Sequence, residues 1–164
     1  EYLAFARFPK PHFEEESINH LLEELAAFVR PLATRQGLTI TVKNDPAAPM
    51  MEIDRPLLRQ AVLNLLKNGM EALSRGGAIT LGSRWDGEAL EIFVSDTGNG
   101  ITPQVAQRLF EPFFTTKPQG TGLGLSITRQ IVEEHGGELS WNSSPSGGAA
   151  FTIHLPLKRP VANV

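Results

Sequence analysis

Leu90-Glu91-Ile92-Phe93-Val94-Ser95-Asp96-Thr97-Gly98-Asn99-Gly100 reads as a strand that ends on a carboxylate and runs into a glycine-rich turn. Apolar and polar residues alternate from Leu90 to Ser95, the period of a half-buried strand. Parity puts Asp96 on the face of Leu90, Ile92 and Val94, so its side chain points towards the buried side. A carboxylate there is costly without partners. One explanation is local: the turn amides of Thr97 and Gly98 hold it, as is common at strand ends. The other is that it accepts a hydrogen bond from the exocyclic amine of adenine, which would discriminate against guanine.

Before that strand, Ala78–Trp85 has the same character, and Asp86-Gly87 between the two is a strong hairpin signal, both positions accepting positive φ. Further upstream, Ser17 caps a helix running to about Gln36, where Gly37 ends it. Leu38–Asn44 alternates as a strand, and a short strand Met51–Ile53 follows the Pro46–Pro49 turn. Asp54 caps a second helix that reaches Arg75 before Gly76-Gly77. Downstream come a short helix over Pro103–Leu109, a loop over 110–121, and a helix over Leu123–His135 closed by Gly136-Gly137. A second hairpin follows, Glu138–Ser143 and Ala149–Leu155 around Pro145-Ser146-Gly147-Gly148. The expected product is an α+β domain with about three main helices on one face of a mixed, mostly antiparallel sheet.

With 164 residues, 41% of them hydrophobic, the chain suffices for one globular domain and is short for two. A net charge of −3 provides no basic field, so nucleic acid is not an expected partner. The absence of cysteine excludes disulfides and thiolate metal sites and is compatible with a cytoplasmic setting. No apolar run approaches the length of a membrane span, and no signal core stands at the N-terminus, so direct membrane contact is not expected. The chain begins at Glu1 without a methionine, which is expected of a piece cut from a longer protein. Pro9, Pro11 and the three acids Glu14–Glu16 make residues 1–16 read as the tail of an upstream helix and a solvated linker. The folded domain is then 17–157, with a tail over 158–164.

On the helix after Asp54, steps of about 100° per residue gather Leu58, Ala61, Val62, Leu65, Gly69, Ala72 and Leu73 on one broad apolar face. Gln60, Asn64, Lys67, Asn68 and Glu71 form a narrow polar stripe at its flank, with Asn64 and Asn68 one turn apart. A solvated stripe is the plain reading. Asparagine is a mediocre helix former, however, and amide oxygens suit Mg²⁺, which keeps waters and shares phosphate oxygens.

Gly120-Thr121-Gly122-Leu123-Gly124-Leu125 stands directly before a helix, where bare amides and the positive end of the dipole favour phosphate. Taken alone, it is equally a place of close backbone packing. Between the two glycine clusters, Phe110, Phe113 and Phe114 crowd into five positions. They fit a small hydrophobic cluster under a loop as well as anchors for a lid over a nucleotide. Lys117 follows and could meet terminal phosphate oxygens as a point charge, or be a surface lysine.

In this order, NLLKNGMEAL (64–73), DTGNG (96–100), FEPFFTTK (110–117) and GTGLGL (120–125) resemble the N, G1, F and G2 boxes of the sensor histidine kinase catalytic domain. That domain belongs to the ATP-binding superfamily of gyrase, Hsp90 and MutL, and the resemblance covers roughly residues 38–156. It implies a two-layer α/β sandwich of the Bergerat type and an ATP–Mg²⁺ site with Asn68 as the metal ligand, Asn64 nearby and Asp96 on adenine. The remaining ATP-binding positions implied are Lys67, Gly98, Gly100, Ile101, Phe110, Thr116, Lys117, Gly120, Thr121, Gly122, Leu123, Gly124 and Leu125, with box amides and Lys117 around the phosphates. Residues 1–10, EYLAFARFPK, are similar to the end of the second helix of a histidine kinase dimerisation domain. The implied partners are the histidine-bearing dimerisation domain of the same protein, a homodimer in the full-length parent, and a downstream response regulator, in a bacterial cytoplasm.

Two positions depart from the family pattern. Gly69 stands where relatives usually have Ala, at a cost of about 1 kcal/mol in a helix interior. Ala149 stands where many carry Ser or Thr near the adenine, which leaves Asp96 and water to hold the base. The hydrolytic relatives place Glu at the position of Asn64, and Asn cannot serve as a general base near neutral pH. Phosphoryl transfer to an imidazole, promoted by positioning and charge stabilisation from Mg²⁺, Lys117 and the box amides, is therefore the expected reaction, with Asn64 and Lys117 as its catalytic residues. An ATP-hydrolysing member of the same superfamily and a non-catalytic nucleotide-sensing module are the alternatives. Of the four histidines, His12, His20, His135 and His154, none stands in an acceptor pattern. Each reads as a surface or capping residue, which puts the acceptor helix upstream of Glu1.

Overall fold

The computed structural model describes residues 10–74, 76–116 and 122–158. Their elements are β1 (Glu14–Ser17), α1 (Ile18–Arg35), β2 (Leu38–Lys43), β3 (Met50–Ile53), α2 (Arg55–Glu71), β4 (Gly77–Trp85), β5 (Ala89–Asp96), α3 (Pro103–Ala106), α4 (Gly124–Glu134), β6 (Glu138–Ser143) and β7 (Ala149–Pro156). Residues 1–9, the expected end of an upstream helix, lie outside this set, as do Arg75 and most of the tail.

Five strands form one sheet in the order β2-β4-β5-β7-β6, parallel between β2 and β4 and antiparallel elsewhere. Alternate residues of each strand face the helices: Ile79 and Leu81, Leu90, Ile92 and Val94, Phe151, Ile153 and Leu155 are buried in one cluster with the apolar faces of α1, α2 and α4. The opposite face carries Thr80, Arg84, Glu91, Thr152 and His154 and meets solvent. This is the expected two-layer α+β arrangement, with three long helices and the single turn of α3.

Helix starts follow the capping residues. The Ser17 hydroxyl accepts from His20 N at 3.1 Å, and Asp54 Oδ1 accepts from Leu57 N at 3.1 Å. Gly37, with φ +74°, follows the end of α1. Pro31 lies within α1 on its exposed side, where the carbonyl it leaves unpaired can reach water.

Three sequence expectations need correction. Residues 14–17 are a strand and not linker: β1 pairs antiparallel with β3 from Glu14↔Ile53 to Ser17↔Met50. Its acidic sequence is tolerated because Glu14 and Glu15 are exposed and Glu16 pairs with Arg55 Nη1 at 3.3 Å. The β4–β5 turn is centred one residue later than Asp86-Gly87. Gly87 has φ +97°, Asp86 N donates to Ala89 O at 3.3 Å, and only glycine takes the left-handed conformation, as in a type II′ turn. The Asp86 carboxylate instead accepts from Ala89 N and Glu88 N, both at 2.8 Å, and the first of these chiefly holds its pKa below the ordinary value. Finally, α2 is buried more widely than one face. Leu66 and Met70 are buried as well, while Ala72 is exposed, because α1, α4 and the sheet surround the helix on several sides.

His135 is a capping histidine, as expected, but a buried one at 2% exposure. Its Nδ1 bonds the carbonyl of Ile131 at 2.8 Å, and its Nε2 bonds the amide of Asp54 at 3.0 Å. The amide must donate, so Nε2 is the unprotonated nitrogen and the ring is the neutral Nδ1–H tautomer. Phe13 packs edge-on against the ring at 5.2 Å, and His12 N donates to Asp54 Oδ2 at 2.9 Å. One junction thus ties the approach to β1, the start of α2 and the end of α4. Asp54→Ala removes the cap of α2 and the acceptor for His12 N, and should lower unfolding stability by about 1–2 kcal/mol in urea titration. Asn64 lies ten residues further along, roughly 15 Å at the helical rise, so ligand binding there should survive the change.

Candidate functional site

The polar flank of α2 meets both glycine clusters. At its middle, Asn64 Nδ2 approaches Gly124 O and Thr128 Oγ1, each at 3.4 Å. Thr128 is buried and donates its own hydroxyl to Gly124 O at 2.8 Å, so towards Asn64 it presents an acceptor. Further along, a Cβ added at Gly69 would lie 3.8 Å from Asp96 Cβ, and one at Gly98 would lie 3.0 Å from Ala72 O. One helix flank therefore has the first turn of α4 at one end and the Asp96 turn at the other. Asn68, between them, is partly exposed, and Lys67 is exposed.

Asp96 has the buried position that strand parity requires, with 5% of its surface exposed. Its Oδ1 accepts from Gly98 N at 2.9 Å and from Ala149 N at 3.3 Å. Thus one of the two expected turn amides holds it, and the second donor comes from β7. Among the described residues, no donor bonds Oδ2. The niche is shaped by backbone, because added Cβ atoms at Gly98 and Gly148 would meet Oδ1 at 3.0 and 2.6 Å. A buried carboxylate with one oxygen held by amides and the other left to accept is suited to a ligand N–H.

The other end of the flank is cationic in character. α4 begins after Leu123, whose side chain makes no capping hydrogen bond, and the positive end of the helix dipole lies there. Leu123 and Leu125 are partly buried, while Gly124 is exposed and a Cβ there would meet nothing within 4 Å. Gly122 has φ +74°, and an added Cβ would lie 2.2 Å from the carbonyl carbon of Phe113, which makes glycine obligatory. Phe113 N donates to Gly122 O at 2.8 Å, bringing the F and G2 stretches together. Gly100, with φ +78°, packs on Gly147 O, and Ile101 and Phe110 pack on the core edge. Thr116 is exposed. Lys117, Gly120 and Thr121 lie outside the described residues.

Among the described residues, no group of three or more His, Asp or Glu stands ready to hold a metal, and no helix is long and apolar enough to cross a membrane. The flank offers amides, which fit a hard cation that brings phosphate ligands with it.

Residues 53–159 match the family model of the histidine kinase-, DNA gyrase B- and HSP90-like ATPases. The chain belongs to this family. Its resemblance within the family is to sensor kinases. The catalytic domain of histidine kinase ThkA, solved nucleotide-free, superposes with a TM-score of 0.82 at 31% identity, covering 89% of this chain and 96% of that one. Full-length ShkA, solved in complex with AMPPNP, gives a TM-score of 0.84 at 28% identity over 98% of this chain and 35% of that one. Sensor protein TdiS of Thauera aromatica is 36% identical over 90% of this chain and 28% of its own length. The chain is thus a histidine-kinase-type catalytic domain and spans under a third of the length of that curated relative.

Sequence reasoning missed Thr128, Gly148, Ser144 and Ser146 in this ATPase-family site. The first was visible as a polar residue four positions after Gly124, on the same helix face; the others lay in a stretch read only as a hairpin turn. Gly69 offers a test of packing beneath the site. An added Cβ would lie 3.3 Å from Ile79 Cδ1, a terminal methyl that can turn aside, while the helix gains alanine's propensity. Gly69→Ala should therefore raise stability, by at most about 1 kcal/mol, and a rise in melting temperature would register it.

Proposed function

We propose that this domain binds ATP with Mg²⁺ and donates the γ-phosphoryl group to a histidine on the dimerisation domain of its parent, a bacterial two-component kinase that then serves a response regulator. The observation that carries the proposal is the arrangement along α2: an accepting carboxylate oxygen of Asp96 at one end and the uncapped start of α4 at the other, with Asn64 and Asn68 between. Adenine's amine is a donor and the polyphosphate is an anion, so each end complements one end of the nucleotide. Gly98, Gly100, Ile101 and Phe110 would border the base and sugar; Lys67, Thr116, Lys117, Gly120, Thr121, Gly122, Leu123, Gly124 and Leu125 would border the phosphates. Asn68 would ligate Mg²⁺, which supplies charge neutralisation at the phosphate oxygens when bound.

Asn64 separates transfer from hydrolysis. Its amide nitrogen faces a carbonyl and a hydroxyl acceptor, so a carboxylate in its place would face lone pairs. The position is matched to an amide, and an amide does not deprotonate water near neutral pH. In the proposed step the acceptor imidazole nitrogen bonds the γ-phosphorus while the bond to the bridging oxygen breaks, and ADP leaves with that oxygen. The positions of the acceptor and of the response regulator belong to the parent protein.

Because Oδ1 of Asp96 takes two amide N–H groups, Asp96→Asn must keep its oxygen there and turn Nδ2 towards the ligand. A donor then faces adenine's amine. Calorimetry should show ATP affinity at least tenfold weaker with the melting temperature little changed; equal affinity would remove adenine from Asp96. For the reaction, the chain is mixed with its parent's dimerisation domain and γ-labelled ATP. Acid-labile label should appear on the dimerisation domain and none should accumulate on this chain alone. Steady ATP hydrolysis by the chain alone, without transfer, would identify an ATPase instead.

A further inference from the structure

Beside Asp96, the turn joining β6 to β7 carries two serines whose hydroxyls converge on the aspartate's backbone. Ser144 Oγ donates to Asp96 O at 2.9 Å and is buried. Ser146 Oγ lies 3.3 Å from the same oxygen and 2.9 Å from Ser144 Oγ, so its single proton serves one or the other. The turn closes on itself through Ser144 N to Gly148 O at 2.8 Å and Gly147 N to Ser144 O at 2.9 Å.

This contact lies where the sheet no longer supports Asp96 on the β7 side. The β5–β7 pairing ends at Ser95↔Ala150, so the Asp96 carbonyl has no strand partner on that side, and the two hydroxyls take the place of one. The next residues of the same turn then reach the carboxylate. An added Cβ at Gly148 would lie 2.1 Å from Asp96 O and 2.6 Å from Oδ1, and Ala149 N donates to Oδ1. The turn therefore holds Asp96 at both its carbonyl and its Oδ1, which together fix the direction in which Oδ2 points.

We propose that Ser144 and Ser146 are positioning residues for base recognition: through the Asp96 carbonyl they aim Oδ2 at the exocyclic amine of the purine, and so set how strongly the site prefers adenine to a purine without that amine. The proposal rests on the assignment of adenine to Asp96 made above. It differs from a purely structural role, which would weaken all nucleotides alike or none.

The test compares ATP with purine riboside 5′-triphosphate, which lacks the exocyclic amine, by calorimetry on the 164-residue chain. Wild type should bind ATP more tightly than the analogue. In Ser144→Ala, and in the double variant with Ser146→Ala, ATP affinity should fall roughly fivefold to tenfold, the scale of a lost buried hydrogen bond. The analogue's affinity should stay within about twofold, so the ratio between the two nucleotides narrows. Ser146 is exposed, and Ser146→Ala alone keeps the test intact if Ser144→Ala does not fold. That single variant should lose about twofold for ATP and nothing for the analogue. Equal losses for both nucleotides, or no loss for ATP in any folded variant, would overturn the positioning role. If wild type binds the two nucleotides equally, or neither, the adenine assignment fails and this proposal with it.

Discussion

A carboxylate placed on the buried face of a sheet constrains everything next to it. Asp96 continues the inward series of Leu90, Ile92 and Val94, and its neighbours must supply N–H groups without adding bulk. The backbone meets both demands where residues have no side chain. Gly98 and Gly148 let main chain come within contact of the carboxylate, whereas at Gly69 an added Cβ would meet only side-chain atoms of Ile79 and Asp96 at 3.3 Å or more. At Gly98 and Gly148 alike, the missing Cβ admits a close approach towards the same carboxylate. Nucleotide recognition, as proposed, uses the carboxylate oxygen of Asp96 that these backbone contacts leave open to accept.

The second constraint is the orientation of α2 against α4, since the first carries the amide stripe and the second the open helix start. Two contacts of different chemistry fix it. Near the site, Asn64 bonds the first turn of α4. At the far ends, His135 at the close of α4 accepts from the amide of Asp54 at the opening of α2. The two helices are thereby tied near both ends of α4, and apolar residues such as Ile131, Val132, Leu58 and Val62 fill the core around them. That the far junction also receives His12 and Phe13 means the segment entering the domain packs against the same pair of helices.

Local chemistry was legible in the sequence, and contacts across distance were not. Ser17, Asp54 and Gly37 marked helix ends because capping is settled within four residues. Strand parity placed Asp96 because the period of two needs only neighbouring residues. β1 was hidden because three acids look like solvated linker until Arg55, 39 positions after Glu16, supplies the charge. The Ala149 amide on Asp96, across 53 positions, had no sequence signal at all. His135 looked like any histidine before glycines, and burial came from Phe13 and Asp54 folding over it. The four boxes were legible because their order is a long-range pattern in its own right; the structure explains that order by bringing the first, second and fourth along a single helix flank.

Spacing along that flank carries the last step of synthesis. Gly69 lies over Asp96 and Asn64 reaches Gly124, five residues apart on α2, or about 7–8 Å along the axis. A negative oxygen stands at one end of this interval and the positive end of a helix dipole at the other. The stretch between is lined by amides and a lysine, with Glu71 lying past the Asp96 end. Putting a carboxylate beside the helix start would oppose a polyphosphate by several kcal/mol at an effective dielectric of about 20 and a separation of roughly 4 Å. Neutral side chains avoid that repulsion and still offer oxygens to a cation. The charge pattern along α2 is therefore complementary to a molecule with a neutral, hydrogen-bond-donating head and an anionic tail bound in one orientation, and a reversed orientation would set the phosphates against Asp96.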